Sequence, residues 1–402
     1  MLKGARLIVV LALFAALLSF AKFQHCRDSG WGAPDVYIHM CYSDLSALYG
    51  AREVNVDRWP YQSADNAVEY PVITGLVMWA TGKAISDPNG YRAYFDINAL
   101  LIALLFIGAA FLLWRIKPEF APLLFFSPAV IGSLYINWDI WAIAAALLSI
   151  YFLKNSKFDL SALALGVAIA TKFFPVVLLL GVLLYFKSEI SKSIRYVVIT
   201  SLSWLAINLP IAVTNYDGWS RFYRMNIERA TDLGSIWYAL ELRGITFDNS
   251  TWLSLGLVVI AAAALVNIYN QSKLPRFESF AIVAFLTVAA FVTISKVYSP
   301  QYIIWLTPLA LIPMTRKRER SAFWIWQIGE AIYHVAIWQY LASYTDAKFG
   351  LPAGLYALAI VARVLSLAWF ARALIHSSRS MDFTLSAPGD SLSPLHQEAR
   401  PH

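Results

Sequence analysis

Long apolar runs separated by short polar segments extend along almost the whole chain. Because a bilayer core of roughly 30 Å is crossed by about 20 residues of helix, such runs predict membrane-spanning helices. The predicted spans are residues 6–22, 94–115, 120–135, 138–154, 159–172, 175–187, 195–214, 251–270, 277–295, 300–315, 321–343 and 351–372. The pattern therefore predicts an all-α polytopic membrane protein with about 12 transmembrane helices.

The apolar run 71–85 is short and is interrupted by Gly75 and Gly82. If this run does not cross the membrane, the basic clusters between the spans all fall on one side, as the positive-inside rule requires. These clusters are Lys3/Arg6, Arg115/Lys117, Lys154/Lys157, Lys187/Lys192/Arg195, Lys273/Arg276 and Arg316/Lys317/Arg318/Arg320. If the run 71–85 crossed the membrane, every basic cluster after the first would lie on the outer face instead. We therefore predict that 71–85 is an amphipathic or re-entrant helix at the outer surface.

This topology places both termini in the cytoplasm and two long polar loops, the first loop (23–93) and the second loop (215–250), on the outer face. Residues 1–376 then form one transmembrane domain, and residues 377–402 form a disordered cytoplasmic tail. A cleaved signal peptide is the alternative to an uncleaved first span. In the second loop, Asn249-Ser-Thr251 matches the short N-glycosylation pattern, which occurs often by chance.

The composition agrees with a membrane protein and leaves no room for a sizeable soluble domain. Hydrophobic residues make up 59% of the chain and charged residues 14%, and the mean hydropathy is +0.58. The net charge of +7 arises from the basic clusters, which suit contact with anionic lipid headgroups rather than with nucleic acid. The two cysteines, Cys26 and Cys41, both lie in the first loop, where they could form a disulfide or remain two free thiols.

Two carboxylates of the first loop are candidates for acid–base chemistry. Asp44 precedes Leu45, Leu48 and Tyr49 at helical spacing, so it could lie beside a surface helix and take a proton from a hydroxyl. A solvated or capping aspartate is the alternative. Glu69 begins the surface helix, where a carboxylate also stabilises the helix N-terminus, so a structural role is equally open. Solvated positions are expected for Asp28, Asp35, Asp57 and Asp65.

Basic and polar groups at the outer ends of later spans could bind a phosphate. Lys172 follows a span, and Lys296 is accompanied by Tyr298, Gln301 and Tyr302. Donors around a cation suit phosphate recognition, whereas snorkelling of each lysine to the interface is the alternative.

Three polar or aromatic residues, Asp139, Tyr298 and Trp237, could contact a sugar or an acceptor. Asp139 begins a span, where it could cap the helix or contact sugar hydroxyls or Lys172. In the second loop, Trp237 belongs to a set of aromatic residues interleaved with arginines, which form either an interfacial belt, the favoured interpretation, or a platform for sugar rings. The set comprises Trp219, Phe222, Tyr223, Trp237 and Tyr238 with Arg221, Arg224, Arg229 and Arg243.

Several chemistries lack sequence support. The chain has no Walker loop, no Gly-x-Gly-x-x-Gly after a strand, no His-Glu-x-x-His and no Gly-x-Ser-x-Gly. It also has no Asp-x-Asp pair to hold a metal-bound nucleotide sugar. We therefore predict no metal site and no cofactor, while the need for a divalent metal stays open.

The layout and its motifs resemble a known family. Asp44 before a surface helix, Glu69-Tyr-Pro71, Trp138-Asp139, the segment 170–175 and the segment 296–302 are similar to actinobacterial polyprenyl-phosphate-mannose-dependent mannosyltransferases of the GT-C superfamily. The resemblance covers residues 1 to about 372. Its motifs are short and moderately specific.

The resemblance implies transfer of a hexose, expected to be mannose, from a polyprenyl-phosphate sugar to a lipid or glycan acceptor at the outer face of the plasma membrane. It implies inversion at the anomeric carbon, with Asp44 or Glu69 as the base. It also implies a donor-phosphate site, which we assign to Lys172, Lys296, Gln301 and Tyr302. A transporter or lipid flippase of cell-envelope precursors is the main alternative, and a non-catalytic scaffold of envelope assembly is another.

Overall fold

A computed structural model describes residues 2–63, 67–247 and 250–380 of the chain. Within these ranges all regular elements are helices and none is a strand, so the expected all-α class is confirmed. Asp65, the glycosylation position Asn249 and tail residues 381–402 lie outside the described residues.

The N-terminal part of the chain is one long helix followed by short helices of the first loop. These are α1 (Leu2–Lys22), α2 (Gln24–Ser29), α3 (Asp35–Ile38), α4 (Asp44–Ala51) and α5 (Val72–Lys83). α5 coincides with the predicted surface helix. A hydrogen bond connects it to a later part of the chain, since the Thr74 hydroxyl donates to the Thr171 carbonyl at 2.6 Å. Its depth relative to a bilayer stays a prediction.

In the middle of the chain, small and hydroxylated residues lie between three packed helices. Its helices are α6 (Tyr91–Ile116), α7 (Pro128–Ser133), α8 (Asp139–Lys154), α9 (Phe158–Thr171), α10 (Leu178–Tyr185) and α11 (Ile190–Thr214). Hydroxyls of Ser149, Ser161 and Tyr196 form a buried cluster that joins α8, α9 and α11. Gly166 lets α9 approach α11 closely, since a Cβ there would lie 2.6 Å from the Thr200 carbonyl.

The C-terminal part ends in two long helices that pack along each other. Its helices are α12 (Tyr216–Glu228), α13 (Ile236–Glu241), α14 (Ser250–Gln271), α15 (Arg276–Ile294), α16 (Ile303–Leu311), α17 (Lys317–Ala342) and α18 (Ala353–Arg379). α18 continues past residue 376, and Ser377 and Ser378 are buried. The expected domain boundary therefore falls inside a helix rather than at its end.

Six helices among the described residues are long and apolar enough to cross a membrane, as befits a multi-pass membrane protein. They cover Gly4–Lys22, Tyr91–Ile116, Ile190–Thr214, Thr251–Gln271, Arg276–Ile294 and Ala353–Arg379. The expected count of about 12 is not confirmed. A proline divides one of the expected spans: the run 120–135 is a 3-10 helix followed by the six-residue α7, which starts at Pro128. α17 is 26 residues long but more polar, with buried Glu330 and His334.

A disulfide joins Cys26 to Cys41 and closes a ring across α2 and α3, with 6.0 Å between the two Cα atoms. The guanidinium of Arg27 donates to both carboxylate oxygens of Asp96, at 2.7 and 2.6 Å, and ties α2 to α6. The first loop is thus fastened to the helix bundle next to Cys26.

Cys41→Ser is expected to destabilise the protein by about 3 kcal/mol, because opening a ring of roughly 15 residues restores conformational freedom to the unfolded chain. Thermal unfolding of the detergent-solubilised protein, with and without reductant, measures the change. Reductant should lower the unfolding temperature of the wild type and leave a Cys26→Ser/Cys41→Ser variant unchanged. Equal unfolding temperatures for wild type and variant in oxidising buffer would contradict this expectation.

Candidate functional site

A cavity of about 390 Å³ lies where the first loop, the end of α9, the second loop, the link before α16 and α17 meet. Most of its polar lining comes from segments between long helices. The polar and aromatic residues of its lining include Tyr37, Tyr42, Asp44, Glu69, Tyr70, Asn137, Lys172, Arg229, Gln301, Tyr302 and Trp338.

Asp44 enters the cavity from the first turn of α4. Ser43 caps this helix, since its hydroxyl oxygen accepts from the Leu45 N–H at 3.2 Å. The same hydroxyl donates to the Tyr135 carbonyl at 2.7 Å, and the Asp44 N–H donates to the Ile136 carbonyl at 2.7 Å. The start of α4 is therefore anchored to the link between α7 and α8, which fixes the direction of the carboxylate.

The Asp44 side chain is partly buried and lines the cavity. The Tyr70 hydroxyl donates to its Oδ2 at 3.2 Å, and Asn137 Nδ2 lies 3.5 Å from the same oxygen. Burial raises the pKa of this carboxyl above its ordinary value, and the negative charge of Asp139 acts in the same direction. Hydrogen bonds from tyrosines and the charge of Lys172 oppose that rise in pKa.

Lys172 reaches the cavity at the C-terminal end of α9, where the backbone becomes extended. Its ammonium forms an ion pair with Asp139, a fully buried residue that starts α8. The ammonium also lies 5.0 Å from the ring centre of Tyr70 and 5.4 Å from that of Trp305. Asp139 itself is not among the cavity-lining residues. The structure thus contains the predicted contact of Asp139 with Lys172.

Lys296 does not line the cavity, contrary to its expected place in a phosphate site. Its ammonium donates to the Arg229 carbonyl at 3.0 Å, and its own carbonyl accepts from the Asp232 N–H at 2.8 Å. The Arg229 side chain, paired with Asp232, occupies the cavity wall instead. Arg229 is therefore the second cation at the site.

Two other residues expected to contact a sugar also lie outside the cavity lining. The Tyr298 hydroxyl donates to Glu330 at 3.0 Å in the protein interior. The Trp237 indole donates to the Ile294 carbonyl at 2.8 Å. Gln301 and Tyr302 do line the cavity, and the Tyr302 ring stacks on Trp305 with centroids 3.8 Å apart.

Glu69 lines the cavity but is held by two arginines. Arg52 from the end of α4 donates to its Oε1, and Arg221 of α12 lies 3.7 Å from the same oxygen. The carboxylate therefore joins the first loop to the second. This geometry favours an anchoring role for Glu69.

Three aromatic side chains form one wall of the cavity, and we call them the aromatic wall: Tyr37, Tyr42 and Trp338. Ring centroids lie 6.1 Å apart for the two tyrosines and 5.5 Å apart for Tyr42 and Trp338. Flat aromatic faces beside polar groups suit the apolar faces and hydroxyls of a sugar ring.

A buried ion pair supports the segment that carries Gln301 and Tyr302. Arg363 of α18 donates to Glu330 Oε2 of α17 at 2.8 Å, and both side chains are at most 1% exposed. Arg363 also donates to the carbonyls of Tyr298 at 2.6 Å and Ser299 at 3.2 Å. The pair thus fixes the backbone just before the cavity-lining residues.

Arg363→Met is expected to lower the free energy of unfolding by about 3–5 kcal/mol, because it leaves Glu330 charged and buried without its partner. Denaturant unfolding in micelles, followed by tryptophan fluorescence, measures this loss. In the variant Arg363→Met/Glu330→Gln a large part of the loss should be recovered. Unfolding of the single variant at the wild-type midpoint would be inconsistent with this account.

Sequence reasoning missed the aromatic wall, the specific place of Arg229 and the role of Arg363. Tyr37 and Tyr42 carry no periodic signal in a loop, and Arg229 is one of several arginines around it. Arg363 did carry a signal, since it is an ionisable residue inside an apolar run, and such residues usually have a partner or a function.

Known mannosyltransferases share part of this sequence. GPI mannosyltransferase 1 of Eremothecium gossypii is 26% identical over 187 residues, which are 43% of this chain and 47% of that protein. GPI mannosyltransferase 1 of Kluyveromyces lactis is 28% identical over 203 residues, 46% of this chain and 50% of that protein. The chain thus spans about half the length of the curated relatives that it matches. The expected resemblance to mannosyltransferases is confirmed.

The chain was also compared with protein-family profiles and with solved structures. No protein-family profile matches the chain. Among solved structures, it is similar to the crystal structure of ArnT from Cupriavidus metallidurans bound to undecaprenyl phosphate, with a TM-score of 0.47 and 14% identity. That similarity covers 92% of this chain and 77% of the other.

Proposed function

We propose that this chain is a membrane glycosyltransferase that transfers mannose from a polyprenyl-phosphate sugar to a lipid or glycan hydroxyl. The observation that carries the proposal is one cavity that holds the Asp44 carboxylate together with the cationic side chains of Lys172 and Arg229. The similarity to two mannosyltransferases supports the sugar. The two cations, which suit a phosphate, and the motif resemblance support the donor class.

The proposed reaction is a single displacement. Asp44 takes the proton of the acceptor hydroxyl, and the acceptor oxygen forms a bond to the anomeric carbon of the donor sugar. The bond between that carbon and the phosphate oxygen breaks, and its electron pair stays on the departing polyprenyl phosphate. Lys172 and Arg229 stabilise the charge that grows there. Attack from the side opposite the phosphate inverts the anomeric carbon.

Other residues of the cavity would position the reactants. Gln301 and Tyr302 offer donors in the same cavity and would complete the proposed phosphate site, while the aromatic wall would receive the acceptor. Glu69 would hold the two loops together through its arginines. We expect the displacement to need no cofactor, since the chain supplies both the base and the charge stabilisation.

We place this reaction at the outer face of the plasma membrane, with both termini in the cytoplasm. The disulfide between Cys26 and Cys41 supports this side, since disulfides persist in oxidising compartments. The basic clusters between the spans support it as well. The apolar helices suit a donor that stays in the lipid phase.

The test reconstitutes the full chain in lipid nanodiscs and supplies polyprenyl-phosphate-mannose with a radiolabelled sugar, together with membrane lipid extract as the source of acceptor. Label should appear in a new glycolipid or glycan, and the same donor carrying glucose should compete poorly. Movement of intact donor across proteoliposomes without a new glycosidic bond would overturn the proposal in favour of a transporter.

A further inference from the structure

Three metal-ligating side chains meet on the surface of the first loop, away from the cavity. They are His25 of α2, Asp35 at the start of α3 and His39 directly after α3, and their ligand atoms all lie within 4.8 Å of one another. His25 Nε2 lies 2.9 Å from Asp35 Oδ2. The imidazole rings of His25 and His39 are stacked with centroids 3.6 Å apart.

The covalent framework around these residues keeps them together. His25 precedes Cys26 and His39 lies two residues before Cys41, and the disulfide brings those two chain segments to a Cα separation of 6.0 Å. The double hydrogen bond of Arg27 to Asp96 fixes α2 beyond His25. Convergence of the three side chains is thus built into the loop and leaves little ordering for a ligand to impose.

We propose that His25, Asp35 and His39 bind a zinc ion. Two imidazole nitrogens and one carboxylate oxygen form a donor set that Zn²⁺ accepts, at about 2.0–2.2 Å from each atom, with water in a fourth position. Tetrahedral ligands at those distances are separated by roughly 3.3 Å. His25 Nε2 and Asp35 Oδ2, which are hydrogen-bonded at 2.9 Å, would separate slightly to admit the ion. The three ligand atoms lie within 4.8 Å of one another, so small side-chain rotations would complete the donor set.

Zinc at this position would act on the cavity through α3. Asp35 and His39 flank this four-residue helix, and Tyr37 between them belongs to the aromatic wall and stacks on Trp338 at 6.4 Å. An ion bound by the residues that flank α3 would restrict the position of Tyr37. This consequence for the acceptor side rests on the proposed function, whereas zinc binding itself does not.

The test uses the full chain without a histidine tag, in nanodiscs, after removal of metals by chelator and dialysis. Isothermal titration with ZnCl₂ should give one site per chain. His25→Ala, His39→Ala and Asp35→Asn should each weaken binding by more than the roughly 10–100-fold that an outer-shell partner contributes. His376→Ala, which removes an exposed histidine on α18, should leave the affinity unchanged.

Hydrogen exchange provides a second readout that does not depend on sugar transfer. Zinc should slow amide exchange in residues 35–41 of the wild type and leave exchange unchanged in His25→Gln, which retains an uncharged polar side chain but lacks the imidazole. No saturable binding by the wild type, or equal binding by wild type and the three ligand variants, would overturn the proposal. If the protein binds zinc but transfers no sugar, the zinc site is supported and the proposed function is refuted.

Discussion

Sugar transfer should fall by about 10²–10⁴-fold when Asp44 is replaced by asparagine, because the reaction then lacks its general base. Asparagine keeps the size of the side chain and an oxygen that can accept from Tyr70, so the cavity should keep its shape. The loss should therefore appear in the turnover rate, with little change in the concentration of donor that gives half the maximal rate. Initial rates in nanodiscs at several donor concentrations measure both quantities.

The controls for this variant come from the same loop. Asp57→Asn changes a half-exposed aspartate paired with Lys83, outside the cavity lining, and should transfer at the wild-type rate. Glu69→Gln should show a smaller loss than Asp44→Asn, since its carboxylate is engaged by arginines. If Asp44→Asn kept full activity and Glu69→Gln lost it, Glu69 rather than Asp44 would be the general base.

The pH dependence of transfer follows from the same residue. Burial raises the pKa of Asp44, and a general base acts only when ionised. Activity should therefore be lost as the pH falls through this raised pKa, at a pH above the ordinary aspartate pKa of about 3.9. A pH–rate profile of kcat/KM that extends from below the ordinary aspartate pKa to neutral buffer checks the position of that decline. A decline centred at the ordinary aspartate pKa would argue against a buried base.

Lys172→Gln should reduce transfer by about 10²–10³-fold, because a preorganised charge next to the departing phosphate is lost. It should also destabilise the protein by about 3–5 kcal/mol, since Asp139 is then left buried without a cation. The two effects have different causes and can be separated. Transfer rates and unfolding midpoints of the same preparations provide both values.

The variant Lys172→Gln/Asp139→Asn is the matched control. It removes both charges of the pair, so it should recover much of the lost stability while transfer stays low. Lys296→Gln should have a smaller effect on transfer than Lys172→Gln, because Lys296 contacts the backbone of Arg229 and does not line the cavity. Recovery of transfer in the double variant would mean that Lys172 serves only as the partner of Asp139.

Much of the helical framework was predictable because it depends on local patterns. Apolar runs gave the long helices, and the helical spacing after Asp44 predicted α4, which begins at that residue. The number of spans was less accessible, since prolines such as Pro128 divide apolar runs into pieces too short to cross alone. Hydropathy reports how apolar such a run is, but it does not report where a proline interrupts the helix.

The site was predictable only in part, because side-chain direction depends on partners far along the chain. Lys172 and Lys296 look alike in sequence, each at the end of a span. In the structure one faces the cavity beside Asp139, and the other turns to a carbonyl of the second loop. The histidine cluster of the first loop was likewise not predictable, since its members come together through the folded loop that the disulfide closes.

One cavity is expected to hold both the phosphate-linked sugar and the base that activates its acceptor. A single-turnover assay tests this arrangement most directly: the protein is loaded with radiolabelled polyprenyl-phosphate-mannose, freed of excess donor and mixed with acceptor lipid. The wild type should convert the bound donor to product, and Asp44→Asn should retain the bound donor unconverted. Conversion by Asp44→Asn at the wild-type rate would contradict the account.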